Sequence, residues 1–121
     1  MEWEYSPAPE SSAIADIKDR YLPFIDGSFK EGSGEDRDTI NPGTGERLST
    51  VSTVDASDVD RAVRAARRAY QDIWSQLSGA ERGKYLFRIA RAIAERSREL
   101  AVVETLDNGK PIKETRDFDV P

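Results

Sequence analysis

The 121-residue chain contains no cysteine and no histidine. The first absence removes disulfides, thiolate nucleophiles and thiolate-bound metals. The second removes the commonest general base and zinc ligand. Serine, threonine, tyrosine, lysine and carboxylates remain, so catalysis by this chain alone calls for an unusual site. Positive charge is also in deficit: 18 Lys and Arg against 23 Asp and Glu leave a formal net charge of −5. Phosphate backbones are held by a positive field, so this balance argues against a nucleic-acid partner. No apolar run approaches the roughly 20 residues that span a bilayer. The opening Met1-Glu2-Trp3-Glu4-Tyr5 puts acids where a secretion signal has lysines. The expected location is cytoplasmic, with no membrane partner.

What is present falls into an arm, two hairpins and a set of helices. Residues 1 to about 12 are rich in Pro and Ser and lack a core of their own. Ile14 and Ile17 predict a single helical turn. Tyr21-Leu22-Pro23-Phe24-Ile25 is an apolar strand, and Asp26-Gly27 before Ser28-Phe29 is a strong type I′ hairpin signal. Pro23 lacks a donor, so that strand should pair on one side only. Residues 32–36 form a loop. Thr39-Ile40 re-enters strand, the run Asn41-Pro42-Gly43-Thr44-Gly45-Glu46 turns, and Leu48 to Val54 returns.

The second half is helical. Asp55 and Ser57 are candidate N-caps, with Asp58 and Asp60 in the first turn, where the helix dipole favours anions. Val59, Ala62, Val63, Ala66, Tyr70 and Ile73 recur at helical spacing and make one apolar stripe. Ser78-Gly79-Ala80-Glu81 is a capping-box pattern opening a second helix, whose stripe is Leu86, Ile89, Ala90 and Ile93. Ser97 is the expected cap of a third helix, which Asn108-Gly109 ends with Pro111 just beyond. Pro111 then fits the first turn of a further helix. That last segment, 112–121, begins a pattern and stops before repeating it, which reads as a cut.

The chemical motifs are few. Gly43-Thr44-Gly45 has Leu48 where a dinucleotide fingerprint needs its third glycine, and a strand follows instead of a helix. Gly32-Ser33-Gly34 fails in the same way at Arg37, so both are turns. Arg61, Arg64 and Arg68 share a helix face, as an anion-binding stripe would; in an acidic chain a solvated face is the favoured reading. Asp107 stands at a helix end, where a carboxylate opposes the local dipole. It is either exposed or bonded to a turn, or it helps hold a hard cation with backbone carbonyls.

Four stretches together resemble the aldehyde dehydrogenase superfamily. They are Phe24-Ile25-Asp26-Gly27, Asn41-Pro42-Gly43-Thr44-Gly45-Glu46, the Ala/Arg-rich helix ending near Trp74, and Glu104-Thr105-Leu106-Asp107-Asn108-Gly109-Lys110-Pro111. Order and spacing match that family's amino-terminal region from about Leu22 onward. The resemblance implies an α/β fold, with this chain supplying the opening β-hairpins and helices of a Rossmann-like NAD(P)-binding domain, incomplete at Pro121. Residues 1–20 would be an N-terminal arm and 21–121 the truncated domain. The parent enzyme would oxidise an aldehyde to an acid with NAD or NADP. Its cysteine forms a thiohemiacetal, oxyanion donors stabilise the charge, and a glutamate activates water.

By motif match those catalytic and cofactor-binding residues all lie beyond Pro121, so none is assigned in this chain. One site does carry over. Several family members hold a monovalent cation, potassium or sodium, beside the Asn-Pro turn; the matching positions are Thr39, Ile40 and Asp107. The complete enzyme would be a homo-oligomer, a dimer or a tetramer. The rival expectation is a free-standing helical module binding a protein through its apolar stripes.

Overall fold

The computed structural model describes residues 11–121, so the Pro- and Ser-rich start of the arm lies outside the described residues. The element order is a 3-10 turn at Ser12–Ile14, then β1 (Arg20–Tyr21), β2 (Phe24–Ile25), β3 (Ser28–Phe29), β4 (Arg37–Ile40) and β5 (Arg47–Val51). The helices follow: α1 (Ala56–Asp72), a 3-10 turn at Trp74–Gln76, α2 (Gly79–Glu95), α3 (Ser97–Asn108) and the single turn α4 (Ile112–Glu114), which runs into a π-helical turn at Thr115–Asp119. The fold is mixed α/β.

Both predicted hairpins form. β2 and β3 pair antiparallel across Asp26 and Gly27, whose φ values are 55° and 78°, both positive as a type I′ turn requires. Phe24 and Phe29 meet edge to face on this hairpin at 5.0 Å. β4 and β5 pair antiparallel, with a register shift between Thr39 and Ile40.

The expected strand from Tyr21 to Ile25 is broken. Its first part, β1, pairs parallel with β5, giving the order β1-β5-β4. Its second part turns away into the hairpin. Pro23 sits at the break, where it has no N–H to give, and its carbonyl accepts from Lys30 at 3.1 Å. The returning strand also ends earlier than Val54. Ser52 and Thr53 are diverted to the 32–34 loop: Gly32 N–H donates to Ser52 Oγ at 3.0 Å and Gly34 N–H to the Thr53 carbonyl at 3.1 Å. A Cβ on Gly32 would lie 1.9 Å from the Thr53 carbonyl oxygen, so glycine allows this approach.

Asp55 caps α1, accepting the N–H groups of Ser57 and Asp58, while Asp58 closes a capping box. Ser78 and Glu81 form the predicted box on α2. Ser97 does not cap α3. The N-cap is Arg96, with no side-chain cap bond, because the same residue closes α2 through its N–H to Ala92 and Ile93. The two helices share one junction, and Arg96 instead pairs with Glu99 in the new first turn at 2.6 Å.

Among the described residues the buried apolar ones are few: Ala65, Ala101 and Val102. The stripes predicted for α1 and α2 form on the helices and face outward, as a truncated domain would leave them. Ile73 is 64 % exposed and Leu86 61 %, and no residue of α2 is buried.

Candidate functional site

The Asn-Pro turn is built from its own side chains. Asn41 Oδ1 accepts the Gly43 N–H at 2.8 Å, the Asn41 carbonyl accepts Gly45 N–H at 2.8 Å, and Glu46 N–H reaches Thr44 Oγ1 at 3.2 Å. This closes β4 onto β5 just after the register shift, where Thr39 pairs with Ser49 and Ile40 with Arg47, leaving Leu48 of β5 as the extra residue. A bulge interrupts the ladder and leaves a backbone group without its strand partner.

The end of α3 docks on the same turn. Gly109 adopts φ 77°, its N–H returns to the Thr105 carbonyl at 3.0 Å, and a Cβ there would lie 2.7 Å from Pro42 Cγ. Asn108 takes the turn bond, accepting Lys110 N–H at 2.8 Å. Lys110 Nζ bridges Glu104 at 3.2 Å and Asp119 at 2.7 Å, which ties the last segment back to α3. These pairs favour the charged lysine, Asp119 most, and raise its pKa. Beneath them Thr115, fully buried, shares a 2.9 Å hydroxyl contact with Thr105 and donates to the Ile112 carbonyl at 3.1 Å.

Of the three positions proposed for a cation, the structure brings two together. Thr39 and Asp107 line one concave surface of about 280 Å³ between β4, β5 and α3. Ile40 is not part of that lining, and its side chain is exposed. Glu104, one helical turn before Asp107, lines it too. Sequence reasoning missed Glu104, although the three-residue spacing that puts both carboxylates on one face was legible. Ile17, Tyr21, Leu48, Val51 and Val103 make most of the remaining wall apolar, and Ser49 completes it. The donors offered are carboxylate and hydroxyl oxygens, which suit a hard cation. Among the described residues no cluster of three acidic side chains fit for a metal occurs.

Neither glycine pair cradles a phosphate. Gly45, with φ 75°, belongs to the Asn-Pro turn, and Gly32 and Gly34 abut Thr53. The residues present therefore do not fit a dinucleotide pyrophosphate, whose cradle is a glycine turn opening a helix.

The arginine stripe is paired throughout. Arg61 donates to Asp58, Arg64 to Asp60, and Arg68 reaches Asp26 in the first hairpin at 3.1 Å. Trp74 and Tyr85 pack on each other at 5.7 Å, with Arg88 over the Tyr85 ring.

Known proteins resemble this chain in sequence and fold. The model of the aldehyde dehydrogenase family matches residues 29–121. DhaS of Bacillus subtilis is 48 % identical over 100 residues, which cover 81 % of this chain and 20 % of that protein. Aminoacetaldehyde dehydrogenase of Pseudomonas aeruginosa is 45 % identical over 117 residues, covering 93 % and 23 %. The crystal structure of an NAD-dependent aldehyde dehydrogenase from Sinorhizobium meliloti superposes with a TM-score of 0.77 at 38 % identity, over 93 % of this chain and 23 % of that one. The chain thus spans about a fifth of the length of the relatives it matches. With the family match reaching from the first hairpin to the last helical turn, the chain belongs to the aldehyde dehydrogenase family.

Proposed function

We propose that this chain is the amino-terminal part of an NAD-dependent aldehyde dehydrogenase that oxidises an aldehyde to a carboxylic acid. The observation carrying this is the correspondence, at 45 % identity and over 93 % of the chain, with an enzyme named for an aldehyde substrate. NAD is favoured over NADP because the S. meliloti enzyme is named NAD-dependent. When bound, the dinucleotide supplies the hydride acceptor. Residues 21–121 supply scaffold: the opening strands and helices of the cofactor domain, with residues 1–20 as an arm. The outward apolar faces of α1 and α2 support this division, since uncovered stripes of that size call for a partner surface. The remaining four-fifths of a family-length polypeptide would provide it. Homo-oligomerisation and a cytoplasmic location belong to the same reading.

A monovalent cation at Thr39, Ile40 and Asp107 is part of the proposal. Asp107 and Glu104 give the negative field and Thr39 a hydroxyl, and Ile40, next to the register shift, would offer its backbone carbonyl. The cation would bind the second hairpin to α3.

The test is turnover. The polypeptide extended to family length should reduce NAD in the presence of an aldehyde, and residues 1–121 alone should not. A soluble, cooperatively unfolding monomer of residues 1–121 would favour the free-standing module instead.

A further inference from the structure

A second concave surface, of about 380 Å³, lies between the first hairpin and α1, away from the Asn-Pro turn. Four of its lining side chains are cations: Lys30, Arg61, Arg64 and Arg68. Pro23 and Ile25 give it an apolar floor. In a chain of net charge −5 this is a local concentration of the minority sign.

The two lining carboxylates are already engaged. Glu31 accepts a bidentate pair from Arg20 at 2.7 and 2.6 Å, and Asp26 accepts from Arg68 at 3.1 Å. Asp58, the partner of Arg61, also receives the N–H groups of Ser33 and Asp55 on its other oxygen. Each of the three arginines enters its ion pair through one Nη2, whereas a guanidinium carries five N–H donors. Lys30 makes no ion pair among the described residues. Arg61, Arg64 and Arg68 follow one another at three and four residues, so the Cβ atoms of neighbouring arginines stand about 5–6 Å apart.

From this we infer that the hairpin–α1 cleft binds a phosphate-bearing small molecule. Guanidinium forks match phosphate oxygens two at a time, and a lysine adds a point charge. The floor of Pro23 and Ile25 takes up whatever apolar group the phosphate carries. This assignment does not depend on the dehydrogenase reading, because binding is measured without turnover.

The experiment titrates the polypeptide extended to family length with inorganic phosphate, and separately with phenyl phosphate, at constant ionic strength made up with chloride. Constant ionic strength separates a site from screening. Binding is followed by amide chemical shifts in the hairpin and α1. Saturable shifts are expected at residues 23–31 and 61–68 with at least one probe. Lys30→Gln and Arg64→Gln should each weaken the affinity by about fivefold. Lys30→Gln breaks no ion pair, so its fold is expected to be unchanged. Arg91→Gln, whose partner is Glu95 on α2, should bind as the parent does. Absence of saturation with both probes, or equal weakening by Arg91→Gln, overturns the site.

Discussion

The carboxylate of Asp58 accepts the backbone N–H of Ser33 at 2.7 Å, although the two lie 25 positions apart. Asp58 is fully buried at the start of α1, so a first-turn acid also serves as the peg on which the 32–34 loop hangs. The Ser33 N–H is the main reason its carboxyl titrates below the ordinary aspartate range; the Asp55 N–H and the charge of Arg61 assist, against the cost of burial.

A folded pKa below the unfolded one means the peg contributes fully above the ordinary aspartate range. Its contribution fades as pH falls toward the folded value. Hydrogen-exchange protection at Ser33 should therefore weaken on acidification before global unfolding. Asp58→Asn should show low protection at neutral pH and no such acid-dependent step. Unchanged neutral-pH protection at Ser33 in that variant would remove the peg from the account.

Gly109→Ala should destabilise by about 2–3 kcal/mol. A left-handed φ costs a Cβ-bearing residue roughly 1–2 kcal/mol, and the new carbon meets a proline ring that cannot swing aside. Gly79→Ala is the control. It lies in the first turn of α2 with nothing near its notional Cβ, and should stabilise by about 0.5–1 kcal/mol. Chemical denaturation of both variants in the complete polypeptide measures the difference.

Thr115→Val should cost about 1–2 kcal/mol, because it strips a buried partner from Thr105 and a donor from the Ile112 carbonyl. The double variant with Thr105→Val should lose less than the sum of the singles. Additive losses in that cycle would mean the hydroxyls do not interact.

Asp107→Ala in the complete enzyme should abolish any rise of thermal midpoint with added potassium or sodium. Thermal melts in chloride salts of both ions, against a bulky organic cation, provide the reading. A variant that still responds like the parent would count against a cation at Asp107.

Much of this was legible because turns are local chemistry. Asp26-Gly27 and Asn41 to Glu46 contain within a few residues the bonds and φ preferences that form them, and the boxes at Asp55 and Ser78 likewise. The parallel pairing of β1 with β5 was not legible. It joins two residues to a strand 30 positions away, and so short a strand has no periodicity to show. Ser97 misled for a related reason: its residue type suits a cap, but the α2–α3 junction had already placed it inside the helix. At the proposed cation site the sequence supplied Thr39 through family resemblance alone, and Asp107 also through its place at a helix end. Glu104 needed the folded wall, and the dual use of Asp58 needed the loop to arrive.

Pro42 and Gly109 lie 67 positions apart, yet each bounds the space the other occupies. The two most distinctive stretches of the chain are therefore opposite halves of one mating joint. A bulkier residue at 109 requires a smaller or displaced ring at 42, so tolerated substitutions at these positions should arise in pairs, and neither stretch is free to drift on its own.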